Sequence, residues 1–187
     1  MKCPDRVHTQ RLVLRRATGN DAAAIFAGYA ADNDVGRYLG WPVHRTIDDT
    51  QEFLQFSDRE WKKWPAGPYL IFSRDESRLL GSTGLAFESP SRASTGYVIA
   101  KAYWGNGYAS EALSAIQELS RATGLERLYA LCHPDHLASQ NVLTKCGFRL
   151  EADRRKNYRF PNHDCKDPQD ALCFVWAPGA GALPGVR

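Results

Sequence analysis

Alternation of apolar and polar residues in the first half of the chain predicts four strands. In "RLVLRR", residues 11–16, Leu12 and Leu14 alternate with arginines, which is the period-two pattern of a strand with one buried face. Three further apolar segments, separated by polar turns, predict the strands of a hairpin or meander: "YLIFSRD", "RLLGSTGLAFES" and "TGYVIAK". The last of these runs from Thr95 to Lys101 and follows a polar loop.

Two helices are predicted between the first strand and the second. Asn20 is expected to cap the first helix, "DAAAIFAGYAA", whose acidic residue in the first turn suits the helix dipole. Thr46 is expected to cap the second helix, which continues through "IDDTQEFLQFSDREWKKW". Pro65 and Gly67 then stop this helix.

In the second half of the chain, predicted helices alternate with predicted strands. A helix is predicted from Tyr108 to a stop at Gly124, then the strand "RLYALCHP", then the helix "ASQNVLTKCGF", which ends at Gly147. This βαβα order predicts a sheet that is partly parallel. Two closing strands, "FRLEADRRKNYRF" and "DALCFVWA", follow with a polar loop between them, and residues 178–187 form an expected mobile tail.

Length and composition indicate one globular domain, residues 1–177. A chain of 187 residues can bury a core without disulfides, and its five cysteines lack paired spacing, so reduced thiols are expected. No apolar run approaches the length of a membrane span, and "MKCPDRVHTQ" lacks the apolar stretch of a signal peptide, so we expect a cytoplasmic protein. The small net charge of +3 disfavours nucleic acid as a partner.

The stretch "AYWGNGYASEAL", residues 102–113, places two glycines between a predicted strand and a predicted helix. Amides at a helix N-terminus bind anions, and Gly105 and Gly107 would let a phosphate approach the main chain. The stretch lacks the Gly-Lys-Ser/Thr ending of a P-loop and the third glycine of the dinucleotide fingerprint. Taken alone, the glycine pair is therefore either a tight turn or a phosphate-binding turn.

A metal site is not expected from the histidines and cysteines. Cys132 and His133 are adjacent, so on a strand their side chains point to opposite faces. His163 and Cys165 lie in a loop without a second ligand pair at zinc spacing. We therefore predict a protein without a bound metal.

The segment "YVIAKAYWGNGYASEAL" resembles the acyl-CoA-binding segment of the GNAT superfamily of N-acetyltransferases, in the branch that includes enzymes acetylating the N-termini of ribosomal proteins. Trp104 takes the Arg/Gln place of the family's Arg/Gln-x-x-Gly-x-Gly/Ala pattern, and Gly107 and Ala109 take the Gly-x-Gly/Ala places. "TQRLVLRR" and "HLASQNVLTKCGF" resemble other segments of this branch, so the resemblance covers residues 9–177. It implies an α/β fold with a mixed, mostly antiparallel sheet, flanked by helices and splayed between the fourth and fifth strands.

The resemblance also implies acetyl-CoA as the cosubstrate and assigns residues to it. The amides from Gly105 to Ser110 would hold the pyrophosphate, and the main chain of Val98 and Ile99 would pair with the pantetheine arm. His136 stands where the family's asparagine meets the cofactor, and Asn141 replaces the usual arginine. The implied cofactor-binding residues are Val98, Ile99, Trp104, Gly105, Asn106, Gly107, Tyr108, Ala109, Ser110, His136 and Asn141.

Transfer of an acetyl group to an amine needs a base near the amine and a proton for the departing thiolate. By the resemblance, Ser139 is the candidate acid, although a serine at this position could instead cap its helix or bond to the main chain. Glu88, at the end of its strand, is the candidate base, with a solvated strand-end carboxylate as the alternative. Asp135 and Tyr158 are further candidates for the base. The alternative for Asp135 is a turn residue before the helix, and the alternative for Tyr158 is a strand aromatic in the substrate wall. Thr95 stands where this branch often has an acidic residue.

These features predict an acetyl-CoA-dependent enzyme that acetylates a primary amine by direct attack. The alternative is a CoA-binding sensor or interaction module of the same fold that has lost catalysis, because three expected positions are changed. The acceptor site would be built from "GRYLGWPVHRTIDD" and "RRKNYRFPNHD", and a peptide N-terminus, a polyamine and an antibiotic amine all stay open. An exposed edge strand would also allow a homodimer.

Overall fold

One continuous β-sheet runs through the computed structural model, which describes residues 2–152, 154–165 and 167–178. Its strand order is β1-β2-β3-β4-β5-β6-β9-β7, and β8 pairs with β9 beside this path. Within these residues the strands are β1 (Arg6–His8), β2 (Leu12–Arg16), β3 (Pro68–Ser73), β4 (Leu79–Ser89), β5 (Arg92–Ile99), β6 (Arg127–Cys132), β7 (Arg149–Leu150), β8 (Arg155–Tyr158) and β9 (Gln169–Trp176).

Helices cover both faces of the sheet. They are α1 (Ala22–Ile25), which continues as a π-helical turn over Phe26–Ala30, α2 (Asn33–Gly36), α3 (Ile47–Lys63), α4 (Tyr108–Ala122) and α5 (Leu137–Lys145). One core lies between the sheet and α4, with Ile99, Leu113 and Ile116 among its buried residues. The other lies beneath α1 and α3, and includes Ile25 and Val98. In the part of the chain that the structure describes, no helix is long and apolar enough to cross a membrane.

The pairing of the strands confirms the mixed, mostly antiparallel sheet. β2 to β5 form an antiparallel meander, whereas β5 and β6 are parallel. This parallel pairing covers only three residue pairs, from Arg92 with Arg127 to Ser94 with Tyr129, after which the two strands part. The separation lies between the fourth and fifth predicted strands, which are β5 and β6 because β1 precedes them.

The N-terminus of α1 differs from the sequence prediction. Asn20 is not the capping residue, because a 3₁₀ turn over Gly19–Asp21 precedes the α-helix and Thr18 is its N-cap. The main-chain N–H and the hydroxyl of Thr18 both donate to Asp21 Oδ2, at 2.7 and 2.9 Å. Asp21 also accepts two hydrogen bonds from Arg15, which ties this turn to β2.

The strands differ from the prediction in three respects. β5 begins at Arg92, because a short turn at Pro90 lets the polar residues before Thr95 pair with β4. β1 was not predicted, because its three residues carry no period that could be recognised. The predicted closing strand from Phe148 is split into β7 and β8. Residues 179–187 of the predicted tail lie outside the described residues.

Candidate active site

A cleft of about 1010 Å³ lies where β5 and β6 part. Its walls come from the two diverging strands, from the N-terminal turn of α5, and from two segments that carry aromatic residues, one after α2 and one at the end of β8. Among the residues that line it are Tyr38, Trp41, Tyr97, Cys132, His136, Ser139 and Tyr158. The cleft therefore brings together residues from all parts of the chain around one opening in the sheet.

The two glycines form the turn that starts α4, a few residues after the end of β5. Gly105 and Gly107 both have a φ of +76°, in the left-handed region that favours glycine, and Gly107 is the N-cap of α4. A Cβ on Gly105 would meet no atom within 4 Å, so the turn is open on its outer side. The first amides of a helix have no partner within it, and the turn that precedes those of α4 is exposed. The turn can therefore bind an anion through main-chain amides.

The glycine turn is fixed to the start of β2 by an ion pair. Arg11 Nε donates to Glu111 Oε2 at 2.7 Å, and Arg11 Nη1 donates to the carbonyl of Asn106 at 2.9 Å. Glu111 also accepts from the Thr9 hydroxyl and from the Arg11 amide. Burial acts to raise the pKa of Glu111, but these hydrogen bonds outweigh it and lower the pKa below its ordinary value. A charged Glu111 thus holds the turn, while the Arg11 guanidinium stays beside Gly107.

On the open side of β5, some main-chain groups have no strand partner among the described residues. The Ala100 amide donates to the Leu80 carbonyl at 2.8 Å, and the register then pairs Ile99 with Gly81 and Val98 with Ser82. In an antiparallel ladder, alternate residues point their main-chain groups to opposite sides. The groups of Val98 therefore point toward β4, whereas those of Ile99 point into the gap.

Trp104 already uses one of the main-chain groups in the gap. Its indole Nε1 donates to the Ile99 carbonyl at 2.7 Å, although the side chain remains 49% exposed. Tyr97 lies two residues before Ile99, so its main-chain groups also face the gap. The amides of Tyr97 and Ile99 and the Tyr97 carbonyl are thus available to a ligand that lies along β5.

Ser139 lies in the wall of the cleft and forms a hydroxyl pair with Tyr97. The two side-chain oxygens are 2.9 Å apart, and the Tyr97 hydroxyl also donates to the Ser139 carbonyl at 3.0 Å. Burial raises the pKa of Tyr97, so the phenol keeps its proton at neutral pH. In the described part of the chain, the N-cap residue of α5 is His136, which makes no side-chain capping bond, and the Ser139 hydroxyl bonds to Tyr97. Ser139 is therefore placed to hydrogen-bond into the cleft.

The thiol of Cys132 lies next to this hydroxyl pair. Burial is the main influence on the pKa of Cys132 and raises it, while a hydrogen bond with Ser139 acts in the opposite direction. A buried thiol with a raised pKa is protonated at neutral pH and is a weak nucleophile. Cys132 thus serves as an apolar wall with a weak hydrogen bond to Ser139.

Glu88 does not reach the cleft. It accepts a hydrogen bond from the Tyr129 hydroxyl and forms an ion pair with Arg92 Nε at 2.7 Å. These contacts join β4, β5 and β6 where the strands are still paired, and Glu88 is not among the residues that line the cleft. Thr95 does line it, but is buried and donates its hydroxyl to the Gly84 carbonyl at 2.8 Å. Neither position therefore offers a base to a substrate in the cleft.

The two segments predicted to surround the acceptor are joined by Asn162. Its side-chain amide donates to the carbonyls of Gly36 and Trp41, both at 2.8 Å, and its side-chain oxygen accepts from the Val43 amide at 2.9 Å. The loop after α2 and the loop after β8 therefore form one wall. Tyr158 belongs to this wall and packs its ring on Phe160 at 4.9 Å between centroids.

His136 projects into the cleft from the start of α5. Its ring is stacked on Tyr38, with centroids 4.7 Å apart and 22° between the planes. Burial, and then the nearby His133, lower the pKa of His136 below its ordinary value. Asn141, in contrast, is exposed on α5 and is not among the residues that line the cleft. The structure thus brings His136 and Ser139 together and leaves Asn141 outside.

A cluster of polar side chains behind Tyr38 contains His133, Asp135 and His163, whose potential ligand atoms lie within 4.8 Å of one another. The ring nitrogens of His133 are already engaged, because Nδ1 accepts from the Asp135 amide and Nε2 bonds to Gln169 Oε1, both at 3.0 Å. Asp135 itself is an exposed turn residue between β6 and α5. These contacts account for the cluster as a hydrogen-bonded network, and the absence of a metal stays a prediction.

Sequence reasoning did not identify three residues of this region: Arg11, Tyr97 and Asn162. Tyr97 could have been found, because strand alternation places it on the same side as Thr95 and Ile99. Arg11 and Asn162 could not, since their partners lie about a hundred residues away in the chain.

Comparisons with known proteins agree with this geometry. Residues 11–149 match the family model of the acetyltransferase (GNAT) domain. An N-acetyltransferase of Bacillus subtilis, YoaA, is 33% identical over 164 residues, which cover 83% of this chain and 89% of YoaA. Among solved structures, a ribosomal-protein-serine acetyltransferase assigned in Vibrio cholerae has a TM-score of 0.74 at 24% identity, covering 95% of this chain and all of that one. RimL, a ribosomal L7/L12 acetyltransferase in complex with coenzyme A, has a TM-score of 0.78 at 22% identity, with coverages of 92% and 97%.

Proposed function

Because the chain belongs to the GNAT family of acetyltransferases, we propose that it transfers the acetyl group of acetyl-CoA to a primary amine by direct attack. The observation that carries this proposal is the gap between β5 and β6, which has the Ser139–Tyr97 hydroxyl pair in its wall. The hydrogen bond from Trp104 to the Ile99 carbonyl connects the end of β5 to the glycine turn that follows. One opening therefore offers amides for a phosphate, a strand edge for an amide-containing chain, and a hydroxyl for a leaving group.

Acetyl-CoA fits the groups that this opening presents. The amides from Gly105 to Ser110 would hold the pyrophosphate, with the Arg11 guanidinium close by. The pantetheine arm carries amides, so it would add to β5 as a short extra strand, through the free main-chain groups of Tyr97 and Ile99. Val98 would contribute its side chain, since its main-chain groups point toward Ser82.

The hydroxyl pair provides the proton for the leaving thiolate. Ser139 would donate its proton to the sulfur as the C–S bond breaks. Tyr97 would then turn its single hydroxyl proton from the Ser139 carbonyl to the serine oxygen, which lies 2.9 Å away, and stabilise it. The raised pKa of Tyr97 suits this role, because a phenol that keeps its proton remains a donor. Tyr97 acts through Ser139 and is therefore a positioning residue.

The walls of the cleft favour an acceptor whose remaining groups are uncharged over a polyamine. Among the described residues that line it, the carboxylates are those of Asp49 and Glu52, and the arginines Arg45 and Arg59 balance them in number. Asp49 is also engaged, because it accepts from the main-chain amides of Arg45 and Thr46. A polyamine would require a net negative wall. Trp41 and Tyr158 instead offer aromatic surface to a peptide N-terminus or an apolar amine.

The test is an acetyl-CoA-dependent screen that measures released thiol. The acceptors are short peptides with serine, alanine or an aromatic residue first, tryptamine, and spermidine as the polyamine. We expect thiol release with a peptide or with tryptamine, and the acetylated product in the mass spectrum. Coenzyme A binding without acetylation of any amine would contradict the proposed activity.

The second candidate is a coenzyme A-binding sensor without catalysis. It is favoured by one observation: the positions expected for a carboxylate base hold either Glu88, which points away from the cleft, or Thr95, whose hydroxyl is bonded to Gly84. The same screen separates the two candidates, because a sensor binds coenzyme A but releases no thiol.

A further inference from the structure

The cleft lacks a carboxylate at the positions where a base was expected, but it contains an imidazole that no other group uses. His136 is half-buried in its wall, and within the described residues its ring nitrogens make no hydrogen bond. The other histidines that line the cleft are engaged: His44 Nδ1 with the Thr50 hydroxyl at 2.8 Å, and His133 with Gln169 and the Asp135 amide. His136 is therefore the histidine with free lone-pair capacity.

The position of His136 relative to Ser139 is fixed by the turn that starts α5. The Ser139 amide donates to the His136 carbonyl at 3.0 Å, so the two residues belong to one turn and both line the cleft. Stacking on Tyr38 fixes the plane of the imidazole. A group that would protonate the sulfur and a group that would accept a proton thus lie in one turn, on the same wall of the cleft.

From this arrangement we propose that His136 is the general base that takes the proton from the acceptor amine. This inference rests on the proposed acetyl transfer. The amine nitrogen forms the C–N bond to the acetyl carbon and the C–S bond breaks. The nitrogen then gives its proton to His136, while the sulfur receives a proton from Ser139. The imidazolium returns its proton through solvent as Ser139 is reprotonated, so protons and electrons balance.

The charged and titratable groups around His136 favour a neutral imidazole at pH 7. Tyr38 stacks on the ring of His136, and the guanidinium of Arg37 lies over the other ring, that of Tyr38. The other groups nearby are Cys132, whose sulfur contacts the His136 carbonyl, and His133 with the exposed Asp135. Burial is the first influence on His136 and His133 the second, and both lower its pKa. A neutral imidazole can accept a proton as soon as the amine attacks.

The test is His136→Asn, measured at saturating acetyl-CoA and saturating acceptor, with the best amine of the screen. Asparagine can hydrogen-bond but cannot take up a proton. We expect kcat to fall by about 10² to 10⁴, the range of a general base. The wild-type kcat should rise with pH through the depressed pKa of His136, and this acid limb should disappear in His136→Asn.

His8→Asn on β1 is the matched control, because His8 is exposed and far from the cleft, and it should retain the wild-type kcat and acid limb. His136→Gln is a second variant whose side chain can hydrogen-bond but cannot take up a proton. Added imidazole should partly restore kcat to His136→Ala, which a structural role would not produce.

A kcat within about threefold of wild type in His136→Asn, or an acid limb that persists in this variant, would overturn the assignment. Failure of the proposed function has a different signature, since the wild-type protein would then release no thiol with any amine. An active wild type with a fully active His136→Asn would remove His136 alone and leave acetyl transfer in place.

Discussion

Placing a carboxylate in the glycine turn, by Gly107→Asp, tests whether this turn holds the pyrophosphate. Gly107 is the N-cap of α4 and its φ is +76°. A Cβ there has room, because its nearest neighbour would be Arg11 Nη2 at 3.6 Å. The substitution therefore adds a negative charge at the proposed phosphate position without creating a serious clash.

The expected loss of affinity follows from Coulomb's law. Two phosphate charges about 5 Å from the new carboxylate, at an effective dielectric constant of about 40 to 80, give a repulsion of about 2 to 3 kcal/mol. Arg11 can pair with the new carboxylate, which places the effect near the lower value, equivalent to an affinity about 30-fold weaker. The left-handed backbone adds a stability cost of about 1 kcal/mol.

Calorimetric titration of coenzyme A measures this loss, and two controls separate charge from strain. Gly124→Asp, at the other end of α4, has a φ of +73° and open space around its Cβ, so it carries the same strain far from the turn. Gly107→Ala carries the strain without the charge. Added salt should narrow the gap between Gly107→Asp and wild type. If folded Gly107→Asp bound coenzyme A as tightly as Gly124→Asp, the pyrophosphate assignment would be refuted.

Three further outcomes are expected. Coenzyme A at about 100 times its Kd should stabilise the protein by about 2.7 kcal/mol in a thermal melt, and no shift at saturation would contradict cofactor binding. Ser139→Ala should lower kcat by about ten- to a thousandfold with coenzyme A affinity nearly unchanged, and Tyr97→Phe less so; a normal kcat in Ser139→Ala would leave Ser139 a structural role. Burial acts to raise the pKa of Asp21, but hydrogen bonds with Arg15 and Thr18 outweigh it and lower that pKa. Its contribution to stability is therefore full above the unfolded pKa of about 3.9 and is lost as the pH falls through the lower folded value. Asp21→Asn should lower the free energy of unfolding by about 1 to 3 kcal/mol at pH 7. In this variant the free energy of unfolding should also fall less steeply as the pH is lowered, and urea unfolding at several pH values measures both effects.

The fold could be predicted because its signals are local. Each long strand and helix carries its own period, and the motif around Gly107 lies within one strand, turn and helix. Thr46 was recognised as the N-cap of α3 for the same reason. The 3₁₀ turn that precedes α1, with Thr18 as its N-cap, was missed because Asp21 bonds both to Thr18 and to Arg15 of β2, and the second contact is not local.

The site was less predictable because its contacts are long-range. Glu88 has the residue type and the strand position of a base, yet its direction depends on Tyr129 of β6, which the sequence does not place beside it. His136 is a departure from the family pattern and was therefore interpreted as a changed cofactor contact. The sequence could not show its stacking on Tyr38, because Tyr38 lies in the loop after α2, far from His136 along the chain.

The separation of β5 from β6 gives this sheet an edge in its interior. Unpaired strand edges normally lie at the margins of a sheet, where charged residues or prolines protect them from pairing with other chains. Here the unpaired amides of Tyr97 and Ile99 belong to a central strand that both cores hold in place. A pantetheine arm would complete the ladder, so coenzyme A would act as a removable strand of the sheet. The coenzyme-free protein is therefore the form most open to hydrogen exchange at β5 and to pairing with extended chains.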